Sequence, residues 1–137
     1  MHDIFFYGLF MDVAHLRAAG LQPVARGTAR LADRALAIGA KATLVPRPGA
    51  AAWGVVVELS DADTARLYAT PGVEAYRPES VTVELEPDRR ATACVTYVVD
   101  APAAGERADA SYVEDLAALA RRLGFPATYV AEIKAWV

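Results

Sequence analysis

Few residues of this chain combine a type and a spacing that can do chemistry. Tyr7-Gly8 interrupts the apolar run from Ile4 to Met11. A residue without a Cβ lets the backbone turn sharply and lets a ligand approach bare peptide amides at the strand end. Tyr7, beside that turn, is predicted to line a cavity, whereas Tyr76 and Tyr129 read as core aromatics with one hydrogen-bonded tip. Arg77 follows Tyr76 directly: turned inward it binds a carboxylate bidentately, and turned outward it is a surface charge. Glu79 reads as a solvated carboxylate at a strand start and Glu74 as a charge on a loop. His15 has no second His, Cys or carboxylate at ligand spacing, so a packing or solvent-facing histidine is expected and no metal. Cys94, the only cysteine, sits in an alternating run and reads as a small buried apolar residue rather than a nucleophile.

Composition narrows the function classes further. The chain has 137 residues, 55% hydrophobic and 23% charged, which fits one domain, residues 1–137, with its own core. The net charge is -3 and there is no Lys or Arg run, so neither nucleic acid nor an anionic membrane surface is an expected partner. The lone cysteine suits a reducing compartment, and Asp3 stands where a secretory leader would be basic. A cytoplasmic location is therefore expected. The oligomeric state is not legible.

The elements that must position these residues follow from punctuation and periodicity. Asp12 caps a short helix from Val13 to Ala19, stopped by Gly20. Pro23 to Ala32 reads as a strand and Ala35 to Ile38 as another, with Arg34 closing the turn between them. Ala42 to Val45 is a short strand ended by the exposed turn Pro46-Arg47-Pro48-Gly49. The run from Trp53 to Leu59 reads as a central strand buried on both faces. Ser60 starts a helix to about Tyr68, and Pro71-Gly72 opens a loop to Ala75. Tyr76 to Leu85 and Arg90 to Val99 form a hairpin. Asp109 or Ser111 caps a helix through Leu123, and Pro126 opens a last one, Ala127 to Trp136. Six or so short, largely antiparallel strands with interspersed helices predict an α+β domain, with its sheet closed into a small barrel.

In that order the blocks resemble the gamma-glutamylcyclotransferase-like family. Phe6-Tyr7-Gly8-Leu9-Phe10-Met11 is similar to the family's opening Tyr-Gly-Ser/Thr segment, and Trp53-Gly54-Val55-Val56 to its Gly-Val-Val-Tyr strand. Leu67 to Tyr76 occupies the place of its Leu-Asp-x-x-Glu-Gly…Tyr stretch, and Ser111-Tyr112 and Gly124-Phe125-Pro126 resemble two blocks near its end. The resemblance implies a small, mixed but mainly antiparallel β-barrel flanked by α-helices, and a small-molecule ligand. The implied chemistry is attack of a γ-glutamyl α-amine on its own γ-carbonyl, releasing 5-oxoproline without a cofactor. That reaction needs one partly desolvated carboxylate to move the proton, and donors for the α-carboxylate and the oxyanion.

Carried over residue by residue, the resemblance implies substrate binding at Tyr7, Gly8, Leu9, Phe10, Tyr76 and Tyr112, with the amides of Gly8 to Phe10 as a carboxylate cradle. Two positions depart from the pattern. Leu9 lacks the hydroxyl the family carries there, and Pro71 stands where its catalytic glutamate precedes the glycine. Three readings follow: a divergent member whose activity is lost or changed, an active cyclotransferase with Glu74 as relocated acid/base, or a binding domain whose pocket is filled. Glu79 is a weaker substitute for the base than Glu74.

Overall fold

The computed structural model describes residues 1–137. Five strands, β1 (His2–Phe6), β2 (Val24–Ile38), β3 (Ala42–Leu59), β4 (Arg77–Leu85) and β5 (Arg90–Val98), close into a barrel in the order β1-β3-β2-β4-β5. Every neighbouring pair is antiparallel except β1 with β5. Four helices accompany it: α1 (Val13–Ala18), α2 (Asp61–Tyr68), α3 (Ala110–Arg122) and α4 (Ala127–Lys134).

Their starts are the expected ones. Asp12 accepts from the Ala14 amide, Ser60 from Asp63, and Asp109 from Ser111, each satisfying a donor that a helix start leaves free. Pro126 opens α4, which ends at Lys134 and not at Trp136.

Strand count is corrected, from about six to five. The two strands expected on either side of Arg34 are one, β2, and those on either side of Pro46–Gly49 are one, β3. Register shifts instead of turning back: Ala32 pairs with Ala51 and Arg34 with Pro46, so Arg47–Ala50 bulge outward opposite Asp33. Asp33 takes positive φ (63°), and its carboxylate accepts from the Gly49 amide at 3.0 Å, which holds the bulge. Pro46–Gly49 are exposed, as expected, but within a continuous strand. Arg34 closes no turn; it reaches β4 and grips Glu79 with two hydrogen bonds, at 2.9 and 3.2 Å.

Two seams of the barrel are thin. β2 meets β4 only at Ala29↔Leu85 and Arg30↔Glu84, and β1 meets β5 only at Ile4↔Val95. Side chains extend both, Arg34 to Glu79 across the first and Thr96 Oγ1 to the Phe5 carbonyl (2.9 Å) across the second. Glu79, read as a solvated carboxylate, does keep part of its side chain in solvent but is also an ion-pair partner, and the Arg34 hydrogen bonds hold its carboxyl below the usual range.

Successive strand residues face opposite ways, so the complete burial of both Ile4 and Phe5, and of both Val56 and Val57, means that β1 and β3 are covered on two sides. α3 turns Val113, Leu116, Ala117 and Ala120 into that core, and Phe125 packs between Trp53 and Tyr129 with ring centroids 5.9 and 6.1 Å away. Gly54 allows a close approach of β1 to β3: a Cβ there would lie 2.2 Å from the Phe6 carbonyl oxygen. That contact aims the end of β1, and hence Tyr7, at one mouth of the barrel.

Candidate functional site: a tyrosine-lined cavity

After Phe6 the chain leaves the sheet through Gly8 into a single 3-10 turn, Leu9–Met11. No side chain caps that turn, so its first amides are not taken up by a capping group. Around it lies a cavity of about 300 Å³, within the size range of small-molecule sites. Tyr7, Gly8, Leu9, Phe10, Tyr76 and Tyr112 all line it. They arrive from β1, the turn, the segment before β4, and α3.

Sequence reasoning missed others on the same wall. Tyr68 comes from the last turn of α2, Tyr97 from β5, Lys41 from the β2–β3 turn, and Gly72 and Val73 from the following loop. Tyr97 had a signal, since it alternates out of phase with the buried Cys94, Thr96 and Val98. Lys41 had none, because only the hairpin carries it to the mouth. His15 also lines the cavity and stacks on Phe10 at 6.4 Å, which fits a packing histidine.

The tyrosines hold one another in place. Tyr7 donates to the Tyr97 carbonyl at 2.5 Å, and Tyr76 donates to the Ala42 carbonyl. Tyr68 and Tyr97 stack 3.9 Å apart and 17° from parallel, with Phe10 edge-on and Tyr76 tilted against Tyr68, each at 6.3 Å. The Tyr112 hydroxyl lies 2.8 Å from where a Cβ on Gly8 would sit, and the Leu9 amide faces its oxygen. Burial drives the phenols of Tyr7, Tyr68 and Tyr112 far above their ordinary value, and pushes Tyr76 up to about 12. At neutral pH they are uncharged donors and acceptors, not bases.

No lining side chain is a carboxylate. Glu74 is exposed and accepts from the Gly72 amide within its own loop at 2.8 Å. Pro71 is exposed at the start of that loop. Arg77 points outward to Asp100 at 3.1 Å, which decides between its two orientations. Cys94 is buried, with its thiol pushed up to about 11 by burial, as expected of a packing residue. A wider groove of about 830 Å³ lies between α4 and the β3 bulge; of the residues considered for chemistry it includes only Tyr129, whose hydroxyl is buried without a partner. No cluster of His, Cys, Asp and Glu is arranged to hold a metal, and no helix is long and apolar enough to cross a membrane.

Fold and cavity together define a class, the small closed mixed barrel with helices and an aromatic cavity at the end of its first strand. The family model for gamma-glutamyl cyclotransferase, AIG2-like, matches residues 4–115, and the chain belongs to that family. Solved structures share the fold. One described as a gamma-glutamyl cyclotransferase is 21% identical with a TM-score of 0.84, over 99% of this chain and 88% of its own. The uncharacterized protein loc79017 from Homo sapiens is 23% identical with a TM-score of 0.82, over 99% and 88%. YkqA from Bacillus subtilis is 24% identical with a TM-score of 0.78, over 98% of this chain but 53% of its own. No curated protein sequence matches the chain significantly.

Proposed function

We propose that this chain is a divergent member of its family that keeps a small-molecule cavity, with γ-glutamyl cyclotransferase activity lost or changed. The observation that carries the reading is the absence of any carboxylate among the lining side chains of a cavity bordered by all six family-implied binding positions. Cyclisation of a γ-glutamyl group requires a base within hydrogen-bond reach of its ammonium. Pro71, at the glutamate's place in the resemblance, has no titratable group, and the phenols around the cavity are too weakly acidic in this setting to be present as phenolates at neutral pH. No side chain caps the Gly8 turn, but its Leu9 amide already faces the Tyr112 oxygen, so the cradle implied by the resemblance is only partly open. The single buried thiol suits a reducing, cytoplasmic setting.

The second reading has one observation in its favour: Gly72 and Val73, on the loop that bears Glu74, border the cavity. A swing of that loop would bring Glu74 inward as general acid/base, at the loss of its bond to the Gly72 amide. Release of 5-oxoproline from a panel of γ-glutamyl amines and dipeptides separates the two. The expected result is no release above the uncatalysed rate from folded protein. Turnover that disappears in Glu74→Gln would overturn the main reading and establish Glu74 as the base.

A further inference from the structure

The fixed charge on the cavity wall has one sign. Besides His15, Lys41 is the one ionisable residue outside the tyrosines that lines the cavity, exposed on the turn between β2 and β3. No carboxylate lies within 4.0 Å of it. Two acidic residues border the adjoining cleft that Lys41 also lines, each bonded to a group other than the Lys41 ammonium. Asp100 pairs with Arg77 at 3.1 Å, and Glu106 accepts from the Ala40 and Ala103 amides at 2.6 and 3.3 Å. Lys41 therefore borders the mouth with no ion-pair partner within 4.0 Å, the Glu106 carboxylate being held beside it at the Ala40 amide.

The interior offers a ligand cation little. An aromatic cage binds a cation through open ring faces, and here Tyr68 and Tyr97 spend a face on each other at 3.9 Å. No acid balances an ammonium, and burial, which disfavours any charged form, already acts on the neighbouring phenols. The Leu9 amide at the far side faces the Tyr112 oxygen, so the turn is the less open of the two anion-attracting places. What remains is an apolar, aromatic chamber with a free cation at its rim, a combination suited to an amphipathic anion.

We infer that the cavity takes a small apolar carboxylate, aromatic or branched aliphatic, with its carboxylate at Lys41 and its body against Phe10, Tyr68 and Tyr76, in preference to a zwitterionic amino acid. The inference rests on the reading of this cavity as a ligand site and narrows the ligand. Lys41 acts as a specificity-determining residue: the carboxylate gains an ion pair on the cavity rim, and an α-ammonium on the same body must be desolvated without a partner.

The test is a matched set of probes on the full chain: 3-phenylpropionate, its primary amide, phenylalanine, and γ-glutamylbutylamine, each titrated by calorimetry and by amide chemical shifts. Phenylalanine differs from the first probe only by its ammonium. The carboxylate is expected to bind at least about tenfold more tightly than the amide or phenylalanine, an energy in the range of one charge-assisted hydrogen bond. Lys41→Met, which changes an exposed turn residue and whose folding is checked by circular dichroism, is expected to abolish that preference by weakening carboxylate binding about tenfold. Equal binding of carboxylate and amide, an unchanged preference in Lys41→Met, or tighter binding of phenylalanine or γ-glutamylbutylamine overturns the inference and leaves the cavity as a ligand site. Failure of all four probes to shift any cavity resonance overturns the inference and the ligand-site reading together.

Discussion

Gly8 and Tyr112 form a contact whose energy can be worked from the structure. An alanine Cβ at position 8 would lie 2.8 Å from the Tyr112 hydroxyl oxygen, where ordinary contact begins at 3.4 Å, so the tyrosine must withdraw by about 0.6 Å. A gap of that size forfeits about a quarter to a half of each dispersion contact on the side the ring leaves. Overpacking of this kind costs about 1–2 kcal/mol. The backbone adds nothing, because φ -110° and ψ -153° at Gly8 are open to alanine. Gly8→Ala should therefore lower the urea unfolding free energy by about 1–2 kcal/mol in the native background. In Tyr112→Phe, which lacks the oxygen, it should be within about 0.5 kcal/mol of neutral. The double-mutant cycle then yields a coupling of about 1 kcal/mol or more. An equal cost of Gly8→Ala in both backgrounds would refute the contact and, with it, the placement of Tyr112 over the turn.

Other expectations concern the barrel and its titrating groups. Gly54→Ala should destabilise by more than about 3 kcal/mol in urea denaturation, since the new Cβ meets the Phe6 backbone oxygen at 2.2 Å and a backbone cannot rotate away; a cost under 1 kcal/mol would contradict the tight β1–β3 approach. Buried phenols with raised pKa keep their protons in the folded chain while the unfolded chain loses them above about pH 10, so stability should fall steeply as pH rises from there toward the folded values. Tyrosinate absorbance and far-ultraviolet circular dichroism should change in one coincident step; phenolates forming near pH 10 in an intact fold would speak against the burial. The Arg34–Glu79 pair lowers a carboxyl pKa, so its contribution is present above the unfolded carboxyl value and fades as pH falls through the lower folded one. Glu79 is partly solvated, so Glu79→Gln should cost only about 0.5 kcal/mol at pH 7, a difference that closes toward pH 3; a gap that persists there would exclude the ion pair as its origin.

Much of the fold was legible because local chemistry and tertiary context agree. Helix starts at Asp12, Ser60 and Asp109 follow from side chains that reach amides two or three residues on, a purely local geometry. The β4–β5 hairpin and the buried run of β3 follow from alternation and branching. The turn at Gly8, its tyrosine and the loop at Pro71-Gly72 were visible as punctuation, and their order along the chain carried the family resemblance.

What the tertiary structure alone decided is everything that depends on residues distant in sequence. Arg34 and Pro46–Gly49 look like two turns in isolation, yet a long partner strand on either side makes a bulge less costly than two chain reversals, because the flanking ladder bonds survive. The phase of Arg77 and the engagement of Glu79 were set by which strand lies beside β4, a matter of barrel closure and not of any local pattern. The cavity itself is the clearest case. Tyr68, Tyr97 and Lys41 are separated by whole elements and carry no shared spacing, and only closure of the sheet brings an α2 terminus, a β5 face and a hairpin turn to the same mouth as Gly8. Sequence fixes which backbone shapes are cheap within a few residues; the sign of the charge that a cavity presents is a sum over side chains from many elements, and it exists only once the barrel has closed.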